Sequence, residues 1–422
     1  MRAVVVALGK IGLPLAVAIA QAGHEVVGCD IDPDVVALIN SAREPFPGEA
    51  GLQDALSRLV PAGRLRAVTD TTGAVAEGPE LVVAVPPLLV DEQARPDFRI
   101  LDAVVDDIGQ GLQRGTVVSV ETTLPVGTIR NRIAPRLAEL SGLRPEQDFH
   151  AVHSPERVYS GRIFRDLATY PKIIGGLSDA GVARAVELYS SFLDVEVRAL
   201  GSVEAAELTK LAETTYRDVN IALANEFARY ADRIGVDVNE VIDAANSQPF
   251  SHVHRPGIAV GGHCIPVYPR FYLAGDPQAQ LPAASRRVNE GMPAYAIELL
   301  AGELSGGVAG ARVVILGVTY RGDVKETAFS GAFPVARELR ERGAHAFASD
   351  PLYSAAELSA LGFEPWDGTP VDAAIVQADH AGYAELRPRD VPGARVLIDG
   401  RGIVDIAPWR AAGVTIRRLG AS

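Results

Sequence analysis

The pattern that most constrains this chain occurs near both of its ends: a short β-branched strand, a glycine-containing turn, a helix, and a second strand closing on an aspartate. At the start, residues 2–8 are an apolar run, Ala7-Leu-Gly9-Lys-Ile-Gly12 forms the turn, residues 13–21 have helical character, and Glu25-Val-Val-Gly-Cys29 leads into Asp30. From Arg312 the order recurs: a strand over 312–317, a polar glycine loop through Gly322, a helix over about 330–342, and a strand from His345 to Ser349 ending at Asp350. Parallel neighbours need a long crossover, which a helix supplies, so each copy opens a doubly wound sheet. Further buried-strand runs stand at residues 81–85, 116–120 and 172–174, and in the second copy at 373–377 and 395–399. A parallel sheet with crossover helices is expected in each half.

Between the halves the periodicity changes. Residues 202–234 read as one long helix capped by Ser202, with Leu208, Leu211, Ala212, Thr215, Tyr216, Val219, Leu223 and Phe227 on a broad apolar face. That length exceeds the usual helix of about 11 residues, so a domain spacer or a subunit interface is expected. The fold class is therefore α/β, two doubly wound domains joined by a long central helix and a helical middle domain. The expected divisions are 1–200, 201–305 and 306–422.

Composition removes several function classes. The chain has 422 residues, 48% of them hydrophobic and 22% charged, which excludes disorder and supports more than one core. A net charge of −13 repels nucleic acid and anionic lipid, so neither is an expected partner. The apolar start is interrupted by Gly9, Lys10, Gly12 and Pro14, short of the roughly eighteen apolar residues a membrane span needs, and a cytoplasmic protein is expected. Cys29 and Cys264 are the only cysteines, and the histidines His24, His252, His254 and His263 lack ligand spacing, so no metal is expected. Lysine occurs only at positions 10, 172, 210 and 325, arginine supplying 36 of the 40 basic residues. A retained lysine in such a chain raises the question of a compact ammonium with a function.

The first turn is a dinucleotide fingerprint with alanine at its first glycine position. Gly9 permits close approach of a pyrophosphate, Gly12 lets the helix pack on the strand, and Asp30 stands where a ribose-binding acid belongs. A carboxylate there repels a 2′-phosphate and favours NAD over NADP. Gly261-Gly-His-Cys264 places a thiol in a glycine turn, beside two residues that allow unusual backbone geometry and close approach of a ligand. With a hydride acceptor nearby, that thiol suggests capture of an aldehyde as a thiohemiacetal able to surrender a second hydride. Lys210, with Thr214, Arg217 and Asn220 continuing a polar stripe, is read as an ammonium facing an oxyanion, the alternative being a solvated helix face. Glu156 and the Thr122-Thr123 pair lie at strand-to-loop edges, where sites in such sheets form and where capping is the competing explanation.

Together these motifs resemble the UDP-glucose/GDP-mannose dehydrogenase family over nearly the whole chain. The likeness rests on the first glycine turn, Glu121-Thr-Thr-Leu-Pro125, Ser154-Pro-Glu156-Arg157, Lys172-Ile-Ile-Gly-Gly176, the Lys210 helix with Val219-Asn220-Ile221-Ala222-Leu223, Gly261-Gly-His-Cys264 and Gly317-Val-Thr-Tyr320. The resemblance implies two Rossmann-like domains and oxidation of a sugar 6-hydroxymethyl to a carboxylate with two NAD. It implies Cys264 as the covalent residue, Lys210 as oxyanion stabiliser, and Thr123, Glu156 and Thr214 assisting. Gly9, Lys10, Ile11, Gly12, Asp30, Val85 and Thr122 would hold NAD. Glu156, Arg157, Lys210, Asn220, Arg255, Gly261, Tyr320 and Arg321 would hold the nucleotide sugar, and the long helix would form a homodimer.

Several positions depart from the best-known members. Thr214 replaces an asparagine, Tyr268 an aspartate, Arg321 a lysine, Lys325-Glu326 an acidic pair, and Ala328 an arginine. The first two resemble the UDP-N-acetylmannosamine and UDP-N-acetylglucosamine dehydrogenase branch, which implies a UDP-N-acetylhexosamine substrate. Two rivals stay open: a two-electron dehydrogenase with a structural Cys264, and a weakened nucleotide-binding partner.

Overall fold

The computed structural model describes residues 1–46, 48–159 and 161–421. The chain forms two compact units, one of Met1–Glu213 with Arg270–Gly275, the other of Thr214–Pro269 with Asp276–Ser422. The division falls inside the helix Val203–Ile234, which runs unbroken for 32 residues.

The first unit is built on an eight-stranded sheet: β1 (Arg2–Val6), β2 (Glu25–Cys29), β3 (Leu65–Val68), β4 (Leu81–Ala84), β7 (Val117–Val120), β8 (His150–His153), β9 (Lys172–Gly176) and β10 (Val197–Ala199), with a small hairpin of β5 (Leu89–Val90) and β6 (Pro96–Asp97) outside it. The order is β10-β9-β8-β7-β4-β1-β2-β3, so the chain switches sides between β1 and β4. β4 and β7 are buried along their whole length, the signature of strands covered on both faces. Six strands are parallel, but β9 runs antiparallel to β8, with Val152 opposite Gly176 and His153 opposite Gly175. The expectation of an all-parallel sheet is corrected here. Among the described residues the connection from β8 to β9 holds one five-residue helix, Ile163–Leu167, and the chain returns antiparallel.

The second unit carries a six-stranded, wholly parallel sheet: β11 (Arg312–Leu316), β12 (His345–Ser349), β13 (Glu364–Pro365), β14 (Ala373–Val376), β15 (Val396–Asp399) and β16 (Thr415–Arg418), in the order β13-β12-β11-β14-β15-β16. Val313 and Ile315 pack with Val335 and Leu339 of the following helix, repeating what Val5 does with Leu13 and Ile19 in the first unit. Each such side chain taken from water contributes about 1.5–3 kcal/mol. The architecture is thus α/β, with Rossmann-like sheets at both ends and a helical middle region.

Ser202 caps the long helix through a 3.1 Å bond from the Ala205 amide. The broad apolar face expected along it is part buried and part exposed. Leu211 and Thr215 are buried, whereas Tyr216, Leu223, Phe227, Tyr230 and Ile234 are exposed and Ala212 faces out. No helix of the described residues is long and apolar enough to cross a membrane.

Candidate active site

At the carboxyl end of β1, Ala7 has φ +72°, a left-handed conformation that favours glycine, the residue expected at this fingerprint position. Gly12 is obligatory, since a Cβ there would lie 2.0 Å from the Ala7 carbonyl oxygen. A Cβ on Gly9 would meet no atom within 4 Å, so its backbone faces open space. The helix Gly12–Gln21 starts at Ile11 without a side-chain cap; in its first turn the Leu13 amide donates to Gly9 O at 3.1 Å and Pro14 carries no N–H. Lys10 is exposed beside it. Asp30, at the end of β2, accepts from the Leu8 amide at 2.7 Å and the Asp32 amide at 3.0 Å, which fixes its carboxylate over the same turn. On the other side of the switch point the Val85 amide bonds Val6 O at 3.0 Å, and Thr122 Oγ1 donates to Pro86 O at 2.5 Å. An open cradle, an uncapped helix start and an acid at the adjacent strand end suit a dinucleotide.

Further along the carboxyl edge lies a buried charge cluster. Lys172 Nζ donates to Glu121 Oε2 at 2.7 Å and to Glu156 Oε2 at 2.8 Å. Tyr189 donates to the other oxygen of Glu121 and lies 2.8 Å from Ser119 Oγ. Glu156 Oε1 accepts the Arg157 amide at 2.6 Å and the Val158 amide at 3.1 Å. The reversed direction of β9 explains the meeting: its first residue lies beyond the end of β8, beside the loop that carries Glu156. Glu156 is thus neither a helix cap nor a surface ion pair. Its neighbour Arg157 pairs with Glu213 at 3.1 Å. Glu121 and Lys172 are the residues that sequence reasoning missed as site residues; the scarcity of lysine was the signal for the second. Thr123 is buried in the same edge loop, whose Gly127 and Ile129 amides donate to Glu207 at 2.5 and 2.9 Å.

Glu207 begins a buried polar row on the long helix that continues through Lys210, Thr214 and Asp218. Residues three and four apart share a helix face. Burial of Lys210 and Thr214 rules out a solvated face for them. Within the second unit, Asp218 binds Arg286 at 2.8 Å and Asn289 at 2.7 Å. Asn220 holds the 252–254 loop, donating to His252 O at 2.7 Å and accepting the His254 amide at 3.0 Å. Arg255 is exposed and turned to Asp243 and to the Asn239 carbonyl, 3.1 Å away.

The cysteine itself does not sit in a turn, as the glycines suggested, but is the first residue of the helix Cys264–Gly275. It is half-buried, at the helix end that favours negative charge. Tyr268 is one turn on along the same face. The two glycines before it fit a protein side chain: a Cβ on Gly261 would lie 2.7 Å from Tyr320 Cβ, and one on Gly262, at φ +83°, 3.0 Å from Tyr320 Cε2. The Gly262 amide donates to Ala328 O at 2.9 Å, and His263 pairs with Glu326 at 3.2 Å. The second nucleotide loop is therefore bound to the cysteine loop. Arg321 stands over the Tyr320 ring at 5.8 Å. Arg401, not anticipated from sequence, follows β15 and donates to Gln377 O at 2.6 Å and Tyr320 O at 3.4 Å, with burial working against its charge. Among the described residues no three His, Cys, Asp or Glu side chains are grouped to hold a metal ion.

The sequence matches the UDP-glucose/GDP-mannose dehydrogenase family in three parts: its NAD binding domain over residues 1–193, its central domain over 204–290 and its UDP binding domain over 314–406. The UDP-N-acetyl-D-mannosamine dehydrogenase of Pyrococcus horikoshii is 35% identical over 416 residues, 97% of each chain. The NDP-N-acetyl-D-galactosaminuronic acid dehydrogenase of Ralstonia solanacearum is 33% identical over 94% of this chain and 95% of its own. A solved structure of UDP-D-ManNAc dehydrogenase from Pyrococcus horikoshii superposes with a TM-score of 0.89 at 32% identity, covering 100% of this chain and 99% of the other. With the open dinucleotide cradle, the buried lysine–carboxylate edge and the thiol at a helix start, these matches establish that the chain belongs to the UDP-glucose/GDP-mannose dehydrogenase family and is an NAD-dependent nucleotide-sugar dehydrogenase.

Proposed function

We propose that the enzyme oxidises the 6-hydroxymethyl group of a UDP-N-acetylhexosamine to the carboxylate in two successive two-electron steps, through a thiohemiacetal and a thioester on Cys264. The observation that carries this reading is Cys264 at the start of a helix whose preceding glycines are fitted to Tyr320 of the second nucleotide loop. NAD, bound by Gly9, Lys10, Ile11, Gly12, Asp30, Val85 and Thr122, supplies the hydride acceptor for each oxidation. Glu156, with Thr123, takes the proton of the substrate hydroxyl. Cys264 sulfur adds to the aldehyde carbon, the carbonyl oxygen gaining the proton. The second oxidation leaves a thioester, and water then breaks the C–S bond to give the acid and the thiol. Lys210 and the Thr214 hydroxyl stabilise the oxygen that becomes negative in these steps.

Arg157, Asn220, Arg255, Gly261, Tyr320 and Arg321 are assigned to the nucleotide sugar, Asn220 through the loop it holds. The divisions 1–200, 201–305 and 306–422 then serve as cofactor, dimerisation and nucleotide domains of a cytoplasmic homodimer. The names of the relatives support an N-acetylhexosamine, and Thr214 and Tyr268 are consistent with that branch. The test is NADH counted per sugar consumed, across UDP-N-acetylmannosamine, UDP-N-acetylglucosamine, UDP-glucose and GDP-mannose. Two per sugar with an N-acetylhexosamine is expected. One per sugar would refute the covalent route, and preference for UDP-glucose the substrate assignment.

A further inference from the structure

The Lys172 cluster is more elaborate than holding one carboxylate requires. Lys172 bridges two acids at 2.7 and 2.8 Å, and only Glu156 is held by neighbouring amides on its far oxygen. Glu121 is instead backed by Tyr189 and, through it, by Ser119. Two carboxylates around one buried ammonium leave one negative charge in excess, a poor arrangement unless it has a use.

We propose that Lys172 and Glu121 are positioning residues for the oxidation: Lys172 fixes the Glu156 carboxylate, and Glu121 gives the proton collected by Glu156 a second resting place one lysine away. When Glu156 takes a proton, Lys172 passes one of its own to Glu121 Oε2 and refills from Glu156 Oε2. One proton moves, the lysine ends as an ammonium, and Glu156 is again a base. Burial pushes Glu121 up to about 7 despite the attraction of Lys172. Glu156, against the same push from burial, is held below its ordinary value by Lys172 and by its hydrogen bonds. Burial opposes the charge on Lys172, but the two carboxylates raise it above the ordinary lysine value.

The other titratable groups around the cluster are accounted for. His153 is driven neutral by burial, down to about 3, and gives its Nδ1 hydrogen to Val120 O. The Tyr189 phenol is raised well above its usual range by burial and stays protonated, its ring 5.5 Å from Lys172 Nζ. Arg157 is committed to Glu213, and Asp166 to Arg162 and the Tyr159 amide.

This inference rests on the proposed role of Glu156, and the experiment separates the two. The measurement is kcat against pH for NADH formation from UDP-N-acetylmannosamine in wild type, Glu156→Gln, Glu121→Gln, Lys172→Met and Lys172→Arg, with the melting temperature of each. Glu121→Gln is expected to lower kcat roughly tenfold with little change in KM, because the proton has lost its second resting place, and to leave the acid limb of the profile where it is, since Glu121 is already protonated there. Lys172→Met should move that limb up by about one unit and lower kcat roughly a hundredfold with little change in KM, and Lys172→Arg should restore most of it. If Lys172→Met does not fold, Glu121→Gln and Lys172→Arg decide. Wild-type profiles in the folded variants, with only melting temperatures lowered, would overturn the pair as positioning residues. An unimpaired kcat in Glu156→Gln would instead overturn the role given to Glu156.

Discussion

Asp30 holds its place by accepting two backbone amides, so its carboxylate is fixed whether or not a ribose is bound. A fixed negative charge beside the cradle repels a 2′-phosphate and accepts a 2′-hydroxyl. Asp30→Ala should therefore narrow the ratio of kcat/KM for NAD over NADP by about tenfold or more, chiefly by improving NADP. A ratio unchanged by the substitution would show that another group selects the cofactor. The residues that make the turn were legible in sequence because glycine at Gly9 and Gly12 has a backbone reason, visible as open space at one and a 2.0 Å clash at the other. Glu121 and Lys172 were not legible as a pair. They are 51 positions apart, and only the reversal of β9 brings them to one edge.

At the scale of elements, the cysteine helix shows why local signals mislead. Pro266 and Pro269 fall within Cys264–Gly275, and proline inside a helix normally argues for its end. The turn expected at Cys264 rests instead on Gly261 and Gly262, which precede the helix rather than interrupt it. The outermost strands Val197–Ala199 and Thr415–Arg418 escape notice for another reason: their residues are half-buried or exposed, and neither strand has a buried apolar run. The glycine pair before Cys264 yields a direct test. Gly262→Ala puts a Cβ on a left-handed residue 3.0 Å from the Tyr320 ring and should lower stability by about 1–2 kcal/mol in urea denaturation. An unchanged midpoint would mean that the loop adapts freely around Tyr320. The long helix offers a second test. Leu223, Phe227, Tyr230 and Ile234 recur at intervals of four, three and four and remain 40–56% exposed, a stripe that a second copy of the same helix can cover. Light scattering should give a dimer for wild type and a smaller species for the double variant Leu223→Glu with Phe227→Glu. A monomeric wild type at micromolar concentration would contradict the proposed interface.

Across the whole molecule, buried acids set how stability responds to pH. Burial raises Glu207 to about 7, although the Ile129 and Gly127 amides pull it down. Its folded value lies above the unfolded one, so the folded chain binds the extra proton, and that contribution is fully present below about 4.5 and lost as pH rises through about 7. Glu207→Gln carries no charge but keeps only one of the two oxygens that accept the Gly127 and Ile129 amides. The variant should melt below wild type at pH 5 for want of one acceptor, and that deficit should shrink at pH 8, because only the wild-type carboxyl loses stability over this range; an equal deficit at both values would remove Glu207 from this account of stability. The most direct test of the enzyme's proposed chemistry is acid and NADH formed per sugar by wild type and Cys264→Ser, with intact mass of wild type quenched during turnover. Two NADH per sugar and a transient protein adduct are expected for wild type, and loss of acid formation by several orders of magnitude for Cys264→Ser, because serine is both a weaker nucleophile and a poorer leaving group. Two NADH per sugar at near wild-type rate from Cys264→Ser would contradict the covalent route and leave the cysteine a packing residue.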